Sequence, residues 1–107
     1  MELVYVVAAD MQEAEKLAMG LLDQRLAACV NIFPPVRSFY SWKGCTESSD
    51  EVVFLVKTVP GYFPLVEEFV RKHHSYEVPA IFSIPVERVS EPYRHWIFDV
   101  LGQGKES

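Results

Sequence analysis

Between Glu51 and Val59 the chain reads EVVFLVKTV, and from Val52 to Val56 every residue is apolar. Successive side chains of a strand point to opposite faces, so a strand of this kind must be covered on both sides. The chain has 107 residues, which suits a single domain over 1–107. The rest of the chain offers helices enough for only one layer. The second face is therefore expected to be buried by another copy of the chain. The composition agrees: half the residues are hydrophobic and 13% are aromatic, a rich content for a small domain that exposes much of its surface.

The flanking segments supply the layer. Leu3 to Ala8 is a β-branched and aromatic run that reads as a strand. Asp10 with Glu13 forms a capping-box pattern opening a helix. Ala14, Leu17, Ala18, Leu21, Leu22 and Leu26 follow at helical spacing. Ala28 to Phe33 is extended, and Pro34-Pro35 interrupts that strand because neither proline can donate to a ladder. Extended character resumes from Val36 to Trp42. The polar stretch Lys43 to Asp50 predicts a turn, so Val36–Trp42 and Glu51–Val59 should form a hairpin. A second helix is expected from Tyr62 to His74, with Pro64 in its first turn. Val78 to Val86 is expected as an edge strand carrying two prolines. Ser90 should cap a third helix with Pro92 in its first turn and an apolar face of Tyr93, Trp96, Ile97, Val100 and Leu101. Residues 102–107 should fray. The order β-α-β-β-α-β plus a final helix predicts an α+β, ferredoxin-like fold with an antiparallel sheet and both main helices on one face.

Several partner classes are disfavoured. The formal net charge is −5 and the Lys and Arg residues are scattered, so no basic stripe offers itself to nucleic acid. No run approaches the ~20 apolar residues of a membrane span. The start, Met1 to Tyr5, lacks the features of a signal peptide. Cys29 and Cys45 form no CxxC pair, and reduced thiols in a cytoplasmic protein are expected. There is no Gly-rich phosphate loop, Ser-His-Asp order or HExxH motif. No enzymatic reaction and no organic cofactor are expected.

Four groups of residues carry possible chemistry. His73-His74 is the first, since imidazole suits copper and zinc. Neighbours on a helix point about 100° apart, so the rings offer separate contacts. The alternative is that Arg71, Lys72 and His74 cap a helix C-terminus with positive charge. Cys29 is a soft ligand or an inert buried thiol. Lys57, a cation in an apolar strand, must find a partner or reach water; Glu77 is the candidate partner. Tyr40, Trp42, Tyr76 and Trp96 line either a pocket or an interface.

Taken together, Leu26-Ala27-Ala28-Cys29-Val30-Asn31, Ser38 to Gly44, Lys57-Thr58, His73 to Ile81 and Tyr93-x-x-Trp96 resemble the CutA divalent-cation-tolerance family, in order and spacing over nearly the whole chain. The resemblance implies a ferredoxin-like homotrimer linked to tolerance of copper and other divalent cations. It implies an inter-subunit cleft involving Cys29, Lys57, Tyr76, Glu77 and Trp96. It also suggests a small-ligand regulatory or signalling module analogous to PII proteins as an alternative. Two departures stand out. Ser75 replaces the family's usual proline, and Val7-Ala8-Ala9-Asp10 lacks the cysteine that some members carry after strand one. The metal candidates left are His73, His74 and Cys29.

Overall fold

The structure is a computed structural model that describes residues 1–102. Five strands and three helices follow one another in this order: β1 (Glu2–Ala8), α1 (Met11–Asp23), β2 (Cys29–Ile32), β3 (Val36–Trp42), β4 (Cys45–Thr58), α2 (Phe63–His73), β5 (Ile81–Pro85) and α3 (Glu91–Val100). The sheet order is β2-β4-β1-β5, with β3 also paired to β4, and every pairing is antiparallel. The expected ferredoxin-like α+β architecture is therefore present.

Register explains the two faces. Val4, Val6 and Ala8 lie opposite Val56, Phe54 and Val52. These six are buried together with Ala14, Leu17 and Leu21 of α1 and Val66 and Val70 of α2. Tyr5 opposite Leu55, and Phe82 opposite Tyr5, carry the alternate parity onto the face without α1 and α2. A second small core joins Ala28, Val59, Ile97 and Leu101, which docks α3 at the end of the sheet. Between the two cores the Thr58 hydroxyl donates to the Leu26 carbonyl at 2.8 Å, so the one buried polar side chain of this region is satisfied.

Several boundaries move. The expected turn over Lys43–Asp50 is a two-residue turn at Lys43-Gly44, and Cys45 already pairs with Trp42. Both turn residues have positive φ, 50° and 81°, the type I′ geometry that matches strand twist in a tight hairpin. The residues from Cys45 to Asp50 are strand, not turn. The hairpin arm of β3 and early β4 projects beyond either core, giving a molecule 50 × 26 × 23 Å. With no face of the arm packed on its own chain, polar Thr46, Ser48 and Ser49 are at home in a strand. Pro34-Pro35 splits the second extended segment into β2 and β3 as anticipated. The last strand is shorter than Val78–Val86: Val78 and Pro79 precede it, and it pairs only with β1, as an edge. Of the expected tail, residues 103–107 lie outside the described residues.

Helix ends follow local chemistry. The Asp10 carboxylate accepts the Glu13 N–H at 2.8 Å, as the capping box requires. The Glu13 carboxylate reaches one residue further back than expected, to the Ala9 N–H at 2.8 Å. At the other end Arg25, with φ 58°, takes the left-handed position that usually falls to glycine, and Leu26 N–H bonds to the Leu21 carbonyl.

Candidate functional site

The candidate residues separate into two clusters at opposite ends of the Glu51–Lys57 stretch of β4. At one end α2 stops between the two histidines: His73 is the last helical residue and His74 is extended, with φ −88° and ψ 146°. The His74 side chain is fully buried. Its Nε2 meets the Val7 carbonyl at 2.7 Å, and its Nδ1 accepts the Tyr76 N–H at 2.9 Å. A carbonyl can only accept, so the proton is on Nε2 and the ring is neutral. The Glu13 carboxylate, which also accepts the Ser75 N–H at 2.8 Å, lies 3.8 Å from Nδ1. Burial alone would raise the Glu13 carboxyl, but the hydrogen bonds from Ala9 and Ser75 hold it below the usual carboxylate range. Tyr76 completes the network: its hydroxyl donates to Glu51 at 2.8 Å. Burial, and then the Glu51 carboxylate, push its phenol up to about 12.

His73 is different. It is exposed, its ring stacks on Phe69 with centroids 4.3 Å apart, and its Nδ1 meets the Phe69 carbonyl at 2.8 Å. That carbonyl needs a donor, which fixes the proton on Nδ1 and leaves the Nε2 lone pair facing solvent. So the two neighbouring histidines do not form one site. Both nitrogens of His74 are engaged, and a cation there would have to displace the Val7 or the Tyr76 contact. Among the described residues no three His, Cys, Asp or Glu side chains come together to enclose an ion. Of the two neighbouring histidines, His73 is the one that keeps a ring nitrogen free of the chain's own contacts.

At the other end of that stretch, on the face without α1 and α2, Lys57 lies opposite Cys29 on β2 and Leu3 on β1. Its ammonium donates to the Tyr93 hydroxyl at 3.0 Å and lies 5.3 Å from that ring's centroid. Tyr93 stacks on Trp96 at 5.8 Å. The Tyr93 oxygen holds the Lys57 ammonium above its ordinary pKa against the opposing effect of burial. Cys29 receives a long contact from the Asn31 amide, 4.0 Å.

The expected pairing of Lys57 with Glu77 does not occur within the chain. Tyr76 anchors its neighbourhood at Glu51, six strand positions from Lys57, or roughly 20 Å at strand rise. Glu77 is exposed on the α2 side, beside Glu67, Glu68 and Lys72. The five cleft candidates are thus divided within one subunit: Cys29, Lys57 and Trp96 at one end, Tyr76 and Glu77 at the other. Sequence reasoning overlooked Tyr93 as the partner of Lys57, although its i, i+3 spacing to Trp96 already placed the two rings side by side. It also overlooked Glu51, which looks like the polar start of an apolar strand.

Residues 2–100 match the family described as CutA1 divalent ion tolerance protein. The chain belongs to that family. Divalent-cation tolerance protein CutA of Archaeoglobus fulgidus is 43% identical over 98 residues, 92% of this chain and 95% of the archaeal protein. Protein CutA of Mus musculus is 40% identical over 96 residues, 90% of this chain but 54% of the mouse protein. The chain therefore spans about half the length of that mammalian relative and nearly all of the archaeal one. A solved structure of the periplasmic divalent cation tolerance protein CutA from Archaeoglobus fulgidus superposes with a TM-score of 0.91, covering 94% of this chain and 99% of its own, at 40% identity. The family and fold implied by the sequence motifs are both present. Among the described residues no helix is long and apolar enough to cross a membrane.

Proposed function

We propose that this protein works as a homotrimer in divalent-cation tolerance, contacting copper or zinc weakly through His73 and carrying out no enzymatic reaction. The match along residues 2–100 to a family described by divalent ion tolerance carries the reading. The apolar face opposite α1 and α2 supports assembly. Phe82 is 48% exposed there, and on the projecting arm Phe39 is 71% and Trp42 60% exposed. Apolar surface of this extent belongs at an interface. Reduced Cys29 and Cys45 suit the cytoplasm.

Cation binding through a single imidazole is weak and exchangeable, so the ion is cargo or signal rather than a structural element. Sedimentation should give three times the mass of the chain; a monomer at micromolar concentration overturns the assembly. In a zinc or copper titration, His73→Ala should markedly weaken binding, and affinity should fall on acidification because only neutral imidazole binds. Binding that survives His73→Ala but is lost in His74→Ala would reverse the roles of the two rings.

A further inference from the structure

We propose that Glu91 and His95 of α3 form a second divalent-cation site, a two-point chelate on one helix face that takes zinc in preference to magnesium or calcium. It stands apart from the His73 reading and shares no residue with it. Residues four apart on a helix are surface neighbours. Here the His95 Nε2 lies 3.6 Å from a Glu91 carboxylate oxygen. That is too long for a hydrogen bond, so neither atom is committed to the other. Two ligands held about 2.0–2.2 Å from a zinc ion at the tetrahedral angle lie roughly 3.4 Å apart. The pair already stands near chelating distance, and only a small rotation of two exposed side chains admits the ion. Among the described residues no third His, Cys, Asp or Glu joins them, so water fills the remaining positions.

The donor set selects the ion. Imidazole suits zinc, copper and nickel, whereas magnesium and calcium take oxygen ligands. The Glu91 carboxylate adds charge to the imidazole. The two side chains are 77% and 60% exposed, so little desolvation opposes entry. The surroundings also favour a cation. Asp99, exposed one turn beyond His95, continues the row with a second negative charge. The guanidinium of Arg94 lies over the Phe98 ring, 5.4 Å from its centroid, along a different row of the helix. The site is also clear of the sheet face proposed for assembly. α3 docks through Ile97, which is wholly buried, and Tyr93 reaches Lys57 on that sheet face. Both are two residues from His95, about 200° around the helix, so His95 points the opposite way.

Zinc titration of the intact protein, followed by the imidazole C–H resonances of its three histidines, reads each ring separately. The His95 resonances should shift saturably with zinc and stay in place with magnesium. In Glu91→Gln the His95 shift should need at least about tenfold more zinc, because the second contact of a chelate is intramolecular and is lost with the carboxylate. Glu91→His sets two imidazoles at the spacing that zinc-binding helices use, and should bind at least as tightly as the native protein. His73→Ala should leave the His95 response unchanged, and His95→Ala should leave the His73 response unchanged, so either site can fail without the other. All four substituted positions are exposed or partly exposed side chains outside both cores, and the variants should fold. No saturable shift at His95, an equal response to magnesium, or an unmoved midpoint in Glu91→Gln would each overturn the chelate.

Discussion

Beneath α1 and α2, Val4, Val6, Phe54 and Val56 are wholly removed from solvent. On the reverse of the same strands, Tyr5 and Leu55 are half-buried, and Phe82 and Ile84 are exposed. The two faces are similar in composition and differ in what the chain supplies to cover them. A side that looks equally apolar in sequence is covered by local helices in one case and left without them in the other. The projecting arm extends the second condition: Val36, Phe39, Tyr40 and Trp42 are all exposed along it. On the proposed assembly, folding and association rest on alternate residues of one strand, and substitutions at adjacent positions should separate them.

Phe54 and Leu55 give the largest contrast. Phe54→Ala removes a fully buried ring from the helix-covered core and should cost ~3–5 kcal/mol, a large part of the stability of a small domain. Leu55→Asp should leave the helix-covered core folded and break the assembly, because the charge would be buried only in the oligomer. Thermal unfolding and sedimentation together distinguish the outcomes. If both variants unfold without first dissociating, the two faces are not independent. If Leu55→Asp remains a trimer, the sheet face is not the interface.

A smaller effect is expected within the helical layer. A Cβ at Gly20 would clash with the tip of the Phe69 ring, so α1 and α2 approach as closely as glycine allows. Alanine gains about 1 kcal/mol of helix propensity, but overpacking costs ~1–3 kcal/mol. Gly20→Ala should therefore be destabilising by up to ~2 kcal/mol in chemical denaturation. Phe69 carries the stacked His73 ring, so the same substitution should also alter cation affinity. A neutral or stabilising result would show that Phe69 swings away freely and that the His73 geometry is not held by the helix pair.

Much of this was visible in the sequence wherever a residue's role depends on its neighbours along the chain. Asp10 and Glu13 signal the start of α1, Pro34-Pro35 the break between β2 and β3, and Val52 to Val56 the two apolar faces. The arm was not visible, because a strand with no core on either side loses the alternation that identifies it; Thr46, Ser48 and Ser49 then resemble a turn. Nor were the contacts set by register. Lys57 plainly needed a partner, but only the docking of α3 shows that within one subunit Tyr93, rather than Glu77, is in reach. His73 and His74 are adjacent in sequence and divided in space because the helix ends between them, and nothing in the residue types themselves marks that boundary to the nearest residue.

The subtlest test concerns the Tyr76–Glu51 contact, which ties the segment after α2 to the base of the arm and so bridges the helix-covered and uncovered regions. Tyr76→Phe removes the 2.8 Å hydrogen bond and keeps the ring, which should cost about 1 kcal/mol. Its pH dependence has a definite sign. The folded phenol titrates at about 12, above the ~10 of an unfolded tyrosine, because burial and the Glu51 carboxylate disfavour the phenolate. The stabilisation is therefore fully present below pH ~10 and lost as pH rises through the folded value. Measured against pH, the stability difference between the native protein and Tyr76→Phe should be flat through neutrality and shrink on the alkaline side. In Glu51→Gln the carboxylate charge is gone, so the phenol should titrate earlier than in the native protein while the buried ring keeps it above ~10. An unchanged midpoint would show that burial alone sets the shift and that Glu51 holds Tyr76 too loosely to link the arm to α2.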